Sequence, residues 1–441
     1  MIHTLLKLII RLGIRIYYRE IKILNRSAIP KKGPLIIISN HPNTLMDAWV
    51  VALVCKQPIY YMAKATFFDS KFKLWFFKKL KMVPINRAGE GKMDGVNNQQ
   101  SFEECHQILE NKGSLLIFPE GSSFQERTLR KLKSGTARIA LDSEKRNNGE
   151  LGLKVIAVGI HYSRAERFRS NLLISVDEPI EIAPYLEEYN QDSSGTARKL
   201  TQLFKERLEH VLFTTSDKTQ EKLIQQIQEV LSSKYTPKSG KGVSGEVMQL
   251  REIQQALELI TVVEPWKLDE ISLLVGQIIW QTKKLSIKMD FLDRRYRSIL
   301  FLRQIISSLL VLIIGAPLFI YGAFHNIIQY TLVDRIIGKV TKDVEYYAPL
   351  AILLGLIFYP LSYFGFVVLL HQFIHLSWWI KVIYVISMPA SGLFAYYFYH
   401  YLSHISFKWH YLFLMISRRN VIYTIQKKRK RLKELITVDQ L

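Results

Sequence analysis

Pro34-Leu35-Ile36-Ile37-Ile38-Ser39-Asn40-His41-Pro42-Asn43-Thr44-Leu45-Met46-Asp47-Ala48-Trp49-Val50 is the stretch on which the fold turns. Its opening run is apolar on both faces, the pattern of a strand buried between layers rather than one facing water. Asn43 or Thr44 can cap a helix running through Leu45 to Val50. His41 then stands at the end of a strand, and Asp47 in the first turns of the helix that follows. A carboxylate in that place can reach the imidazole, fix its tautomer and leave the second ring nitrogen free as a base. A loop histidine followed by a helix N-terminal aspartate is also an ordinary structural pairing.

Four further runs have strand character: 59–62, 114–118, 155–160 and 172–176. Helical patterns separate most of them, so residues 26–215 read as an α/β domain, a mixed, largely parallel sheet flanked by helices. Residues 216–300 read as a helical connecting region, rich in Gln, Glu, Lys and Leu, with a breaker at Pro237-Lys238-Ser239-Gly240. From residue 301 to 441 the chain reads as an α-helical transmembrane region with a basic tail. Ile305–Phe324, Ala348–Leu370 and Trp378–Tyr399 are each about the length of a bilayer crossing, and the run Lys427-Lys428-Arg429-Lys430-Arg431 follows. Residues 1–25 mix apolar and basic residues without a spanning run or a cleavage site, which suits an amphipathic helix on a membrane surface.

The chain has 441 residues and a formal net charge of +22. That length suggests two or three domains, and the 49% hydrophobic content excludes a disordered protein. The positive excess fits nucleic acid, an anionic membrane or a phosphorylated substrate. No nucleic-acid-binding motif is present, and the apolar C-terminal segments favour membrane lipids as partners. Cys55 and Cys105 are the only cysteines, too few for a disulfide framework or a structural zinc site. A membrane protein with its catalytic domain on the cytoplasmic face is the simplest localisation. That orientation needs an even number of crossings, and Pro317 marks Ile305–Phe324 as the segment expected to break and return.

Three other segments carry candidate chemistry. Val83-Pro84-Ile85-Asn86-Arg87 offers a forked donor for a phosphate. In Leu115-Leu116-Ile117-Phe118-Pro119-Glu120-Gly121-Ser122-Ser123 a strand ends in a tight turn that presents a carboxylate. Arg127, Lys133, Gly135 and Arg138 follow as a basic cluster suited to an anion. Val155–Tyr162 is a buried strand. In this order the four segments resemble the glycerolipid acyltransferase superfamily of lysophosphatidate and glycerol-3-phosphate acyltransferases, over about residues 15–215. Leu132–Ala140 also resembles that family, and the apolar C-terminal region resembles the extension of its longer branch.

The resemblance implies an O-acyltransferase. His41 would be the general base and Asp47 its orienting partner; Arg87 would bind the acceptor phosphate. Glu120 and Gly121 would shape the acceptor pocket, and Lys133 would make a second phosphate contact. The donor would be an acyl thioester, acyl-CoA or acyl-ACP, and the acceptor glycerol-3-phosphate or lysophosphatidate, with no metal or redox cofactor. His41 and Asp47 enclose five residues where four are common, and the arginine usual after Glu-Gly is absent. A lysophospholipid-remodelling acyltransferase and a non-enzymatic lipid-binding or transport protein are the alternatives. The pairs His371/His375 and His400/His404, each four residues apart, raise a membrane metal site as a further rival.

Overall fold

The computed structural model describes residues 2–86, 98–125, 127–215, 217–231, 242–293, 298–375 and 377–437. The chain divides into two units. The first comprises Met1–Lys218, Gly242–Ser244 and Thr341–Ile352, and the second the remainder.

The first unit opens with helix α1 (Ile2–Tyr17) and strand β1 (Glu20–Leu24). Strand β2 (Leu35–Ser39), helix α2 (Thr44–Val54), strand β3 (Ile59–Lys64), helix α3 (Lys71–Lys79) and strand β4 (Met82–Ile85) follow. Next come helix α4 (Asn98–Glu110), strand β5 (Ser114–Ile117), helix α5 (Gly135–Arg146), and strands β6 (Lys154–Tyr162), β7 (Asn171–Val176) and β8 (Ile180–Glu181). Helices α6 (Leu186–Gln191) and α7 (Ser193–Val211) close the unit. The sheet order is β1-β7-β6-β2-β5-β3-β4, with β8 beside β6. All pairings are parallel except those of β6 with β7 and with β8.

Every residue of β2 is buried, which is why its sequence lacks the alternation of a half-exposed strand. Ile36 and Ile38 join Leu115, Ile117, Val155 and Ala157 in one core with Leu109 of α4, Leu141 of α5 and Phe204 of α7. Each such side chain stabilises the fold by about 1.5–3 kcal/mol relative to exposure. The parallel register sets Ile38 beside Ile117 and Ser39 beside Val158. The carboxyl ends of β2 and β5 therefore open at one edge, alongside the later residues of β6. That is the edge where open α/β sheets place their ligands.

Two edge strands differ from the sequence reading. Glu20–Leu24, expected within a surface helix spanning 1–25, instead pairs with β7; the helix ends at Tyr17. Met82–Ile85, outside every expected strand, is β4, and Pro84 is tolerated because β4 has a partner on one side only. On α1, Ile14 and Tyr17 are buried while Leu8, Leu12 and Ile16 are exposed along one stripe.

The helices that follow are α8 (Lys218–Leu231), α9 (Val243–Val263), α10 (Trp266–Lys284), α11 (Ser298–Val340), α12 (Tyr347–Phe373), α13 (Trp378–Ser417) and α14 (Arg419–Ile436); they make up the second unit apart from the first residues of α8, α9 and α12, which group with the first. Three helices, α11, α12 and α13, are long and apolar enough to cross a membrane. They expose Ile314, Phe364 and Ile383 at 76%, 67% and 67%, an apolar surface suited to lipid rather than water. These helices associate the protein with a membrane. Helix α11 runs unbroken through Pro317, so the break and return expected there does not occur. The proline removes one N–H from a helix of 43 residues, a local loss that long apolar helices accommodate.

Small residues let α11 and α13 approach: Gly322 lies against the Ser391 backbone and Gly392 against Asn326. The polar groups at this contact are paired. Asn326 donates to the carbonyls of Gly322 and Met388 at 2.8 and 3.0 Å and accepts from the Tyr363 hydroxyl at 2.6 Å. The Tyr384 hydroxyl lies 2.8 Å from His325 Nε2. The basic run near the C-terminus is not a free tail. It lies in α14, where Arg429 is buried and donates to Val230 O at 2.7 Å and to Asp293 at 2.6 Å. Arg431 pairs with Glu270 at 2.9 Å.

Candidate active site

His41 leaves the end of β2 on a short loop that the neighbouring strand holds at two points. The Asn40 amide donates to Ile160 O at 2.9 Å and accepts from Ile160 N at 2.8 Å. Thr44 opens α2 in the left-handed region, φ 40°. This conformation accommodates the five residues enclosed by His41 and Asp47 and brings Asp47 back over the loop.

Asp47 is completely buried and collects three donors. His41 Nδ1 lies 2.8 Å from one carboxylate oxygen, which also accepts from Asn43 N at 2.6 Å; the Tyr162 hydroxyl donates to the other at 2.7 Å. Position in the first turn of α2 adds the favourable helix dipole. Burial and the adjacent Asp47 carboxylate push the Tyr162 phenol well above its ordinary pKa, which keeps it a neutral donor. A carboxylate only accepts, so Nδ1 carries the proton and Nε2 is left as a free base. The imidazole stacks on Phe118, centroids 3.8 Å apart and planes 5° from parallel, so its orientation is fixed on a second side.

Phe118 begins the turn after β5. Gly121 N donates to Phe118 O at 3.0 Å, and Gly121 takes φ 81°, a conformation that suits glycine. A Cβ there would also lie 2.6 Å from Lys133 Nζ, so the missing side chain makes room for that ammonium. The Glu120 carboxylate accepts from the backbone N–H of Arg130 at 3.2 Å and from that of His41. Burial raises its pKa above the usual carboxylate range, against the pull of those two N–H groups. Glu120 thus braces two loops. The Arg130 guanidinium lies 3.1 Å from the Phe124 ring centroid.

His41, Asp47, Glu120, Gly121 and Lys133 therefore gather at one sheet edge, while Arg87 lies outside the described residues. Asn40, Phe118 and Tyr162, which sit inside the quoted motifs, were not read as site residues. A further member comes from far along the chain. Glu345 belongs to the same unit; its carboxylate accepts from the Ser123 hydroxyl and its carbonyl accepts from Thr44 Oγ1 at 3.0 Å. No local pattern marks it. Among the described residues no cluster of three His, Cys, Asp or Glu side chains is arranged to hold a metal. His371 and His375 lie with ring centroids 5.1 Å apart, and His404 is 4.0 Å from Asp290.

The arrangement is a buried carboxylate, an oriented imidazole with a free nitrogen, and a nearby ammonium. It suits removal of a proton from an anionic substrate's hydroxyl.

Residues 20–161 match the model of the family described as Acyltransferase. Glycerol-3-phosphate O-acyltransferase 2 of Saccharomyces cerevisiae is 31% identical over 106 residues, covering 24% of this chain and 14% of that protein. Glycerol-3-phosphate O-acyltransferase 1 of the same yeast is 25% identical over 146 residues, 32% of this chain and 19% of that protein. A probable 1-acyl-sn-glycerol-3-phosphate acyltransferase of Mycoplasma pneumoniae is 26% identical over 137 residues, 29% of this chain and 48% of that protein. The matched stretch thus spans less than a fifth of the yeast proteins and about half of the bacterial one. A solved structure, the 1-acyl-sn-glycerophosphate acyltransferase of Thermotoga maritima, aligns with a TM-score of 0.35 at 18% identity, over 47% of this chain and 78% of that one.

Proposed function

We propose that this chain, whose residues 20–161 match the acyltransferase family model, moves a fatty acyl group from an acyl thioester to a hydroxyl of a phosphorylated glycerol in phospholipid synthesis. The observation that carries this reading is the His41–Asp47 pair, 2.8 Å apart, with Nε2 free and the ring held on Phe118. In the proposed step the acceptor oxygen attacks the thioester carbonyl as His41 Nε2 takes its proton. The C–O bond forms, the C–S bond breaks, and the leaving thiolate receives the proton from the imidazolium. Asp47 holds the ring and stabilises its positive charge. Lys133, over Gly121, and Arg87 supply cations for the acceptor phosphate. Acyl-CoA and acyl-ACP both fit as donor. The test is acyl transfer by purified protein with both donors and with glycerol-3-phosphate, lysophosphatidate and larger lysophospholipids; ester formation with none of them overturns the reading.

Arg87→Ala is expected to raise KM for the phosphorylated acceptor about tenfold or more, as loss of a charge-assisted hydrogen bond does, and to leave KM for the acyl donor nearly unchanged. Steady-state kinetics with each substrate varied in turn measures the difference. Equal changes in both constants would reassign Arg87 to structure.

We propose that the catalytic domain faces the cytoplasm, a reading supported by the basic residues of α14 that follow the last apolar helix. The exposed Leu8, Leu12 and Ile16 of α1, beside Lys7, Arg11 and Arg15, suit contact with an anionic bilayer. Thr341–Ile352 groups with the catalytic unit, and Arg429 of α14 bonds Asp293 just before α11, so the proposed orientation keeps both ends of α11 on the cytoplasmic side: α11 does not cross, and α12 and α13 supply the even number of crossings. Single cysteines at Lys342 and Lys433 are expected to react with a membrane-impermeant maleimide only after the cells are opened. Cys55 and Cys105 give little background, because both are buried and burial pushes each thiol up to about 12. Labelling of either engineered site in intact cells contradicts the orientation.

A further inference from the structure

Glu345 stands out because it reaches the candidate site from outside the residues that define the family. It lies 222 positions along the chain from Ser123, in the segment joining two apolar helices, α11 and α12. Two hydrogen bonds fix it, and each is made to a loop of the site. The Thr44 hydroxyl, between His41 and Asp47, donates to its carbonyl at 3.0 Å. The Ser123 hydroxyl, in the turn after Glu120-Gly121, donates to its carboxylate. The site is braced there too, since Phe124 N donates to His41 O at 3.0 Å. The Glu345 carboxylate is only partly buried, and it lies in the electrostatic field of His41 and Asp47 as well as of Asp343 beside it in the chain.

A carboxylate held on the loops that carry the base is an odd choice for a pocket that must admit a phosphate, because like charges repel. It gains a use if it meets a part of the acceptor that donates hydrogen bonds. Ser123 engages one carboxylate oxygen, Oε2. A carboxylate has about four lone-pair sites, so it retains capacity for another donor. In the reading above the acceptor phosphate has a cation of its own in Lys133, whose ammonium lies over Gly121.

We propose that Glu345 determines acceptor specificity by accepting a hydrogen bond from a second hydroxyl adjacent to the attacking one, so that the preferred acceptor is a polyol phosphate with a free vicinal diol. This rests on the acyl-transfer reading above and narrows it. The attacking hydroxyl gives its proton to His41 Nε2 and becomes the ester oxygen; the neighbouring hydroxyl keeps its proton and donates to Glu345. Glycerol-3-phosphate has such a pair. Dihydroxyacetone phosphate carries a carbonyl in the second position, and lysophosphatidate has only one free hydroxyl. For both, the partly buried carboxylate faces an acceptor group or nothing, and a site built to bind a hydroxyl rejects analogues lacking it.

The experiment compares kcat/KM for these three acceptors, with one acyl donor, in the full-length wild type and in Glu345→Ala, Glu345→Gln and Ser123→Ala. The wild type is expected to favour glycerol-3-phosphate over each of the other two by tenfold or more. Glu345→Ala is expected to reduce that preference about 10- to 100-fold, the worth of a hydrogen bond to a charged group, mainly by raising KM for glycerol-3-phosphate. Glu345→Gln carries an amide N–H that can donate to a carbonyl, and is expected to shift preference toward dihydroxyacetone phosphate. Ser123→Ala is expected to keep the wild-type order. A wild type that favours lysophosphatidate overturns the inference and leaves the acyl-transfer reading standing. Equal losses on all acceptors in Glu345→Ala, with the order unchanged, reduce Glu345 to a loop brace and overturn the inference. A wild type that acylates no acceptor overturns both.

Discussion

His41→Ala lowers kcat about 100- to 10,000-fold, the usual cost of losing a general base, while the protein keeps its fold. The size of the loss follows from what the imidazole does. Its Nδ1 is committed to Asp47 at 2.8 Å, and Nε2 is the nitrogen available to take the acceptor's proton. Two of the nearby carboxylates are committed elsewhere: Asp47 is fully buried behind the ring with three donors on it, and Glu120 is engaged by backbone N–H groups. The fold survives because His41 sits on a loop whose anchor is Asn40, with both of that amide's bonds to Ile160 independent of the imidazole. Initial-rate kinetics and a thermal melt on the same preparation separate the two effects. Turnover near the wild-type value would remove His41 from the mechanism.

Asp47→Asn is the second large effect, and it differs from the first in kind. The carboxylate offers two accepting oxygens, one to the Tyr162 hydroxyl and one shared by Asn43 N and His41 Nδ1. An amide keeps one of them and turns an NH2 toward donors at the other. If the NH2 faces the imidazole, Nδ1 becomes the acceptor and the proton moves to Nε2, so the base is lost. If it faces Tyr162, that buried hydroxyl must turn away from a donor. The expected result is a fall in kcat on the order of 1,000- to 10,000-fold, the scale of the same exchange in other histidine–carboxylate pairs. A loss of stability of about 1–3 kcal/mol accompanies it, for the buried donors left unsatisfied. Thus His41→Ala is inactive at wild-type stability, while Asp47→Asn is inactive and melts earlier. Chemical denaturation of both variants checks the contrast; equal stability of the two would show that Asp47 carries no structural load.

The sheet's centre was legible because burial on both faces leaves a strong signal. Leu35-Ile36-Ile37-Ile38 and Leu115-Leu116-Ile117 can hardly be anything but interior strands. The edges were not legible for the same reason in reverse. In Glu20-Ile21-Lys22-Ile23-Leu24 charges are mixed with apolar residues, because a strand with one neighbour needs less burial, and Pro84 hides β4 behind a turn signal. In the site, His41, Asp47, Glu120, Gly121 and Lys133 were found because their motifs are contiguous. Phe118 and Tyr162 were missed because stacking on an imidazole and bonding to a buried carboxylate depend on strand register, which ordinary apolar residues do not announce. Glu345 was beyond reach of any local pattern, since only the fold brings residues 341–352 to the loop of His41. Pro317 works in the other direction: a proline within an apolar run predicts a break, and a helix of 43 residues absorbs it.

The central claim is that a free His41 nitrogen, held by Asp47, drives acyl transfer to a phosphorylated glycerol. The direct measurement is the rate of ester formation from a radiolabelled acyl thioester and glycerol-3-phosphate or lysophosphatidate, with purified wild type and His41→Ala side by side in the same lipid environment. The account predicts labelled acyl-glycerol phosphate from the wild type and at most about a hundredth of that rate from the variant. Equal rates from the two proteins, or no ester from the wild type with either acceptor, would contradict it.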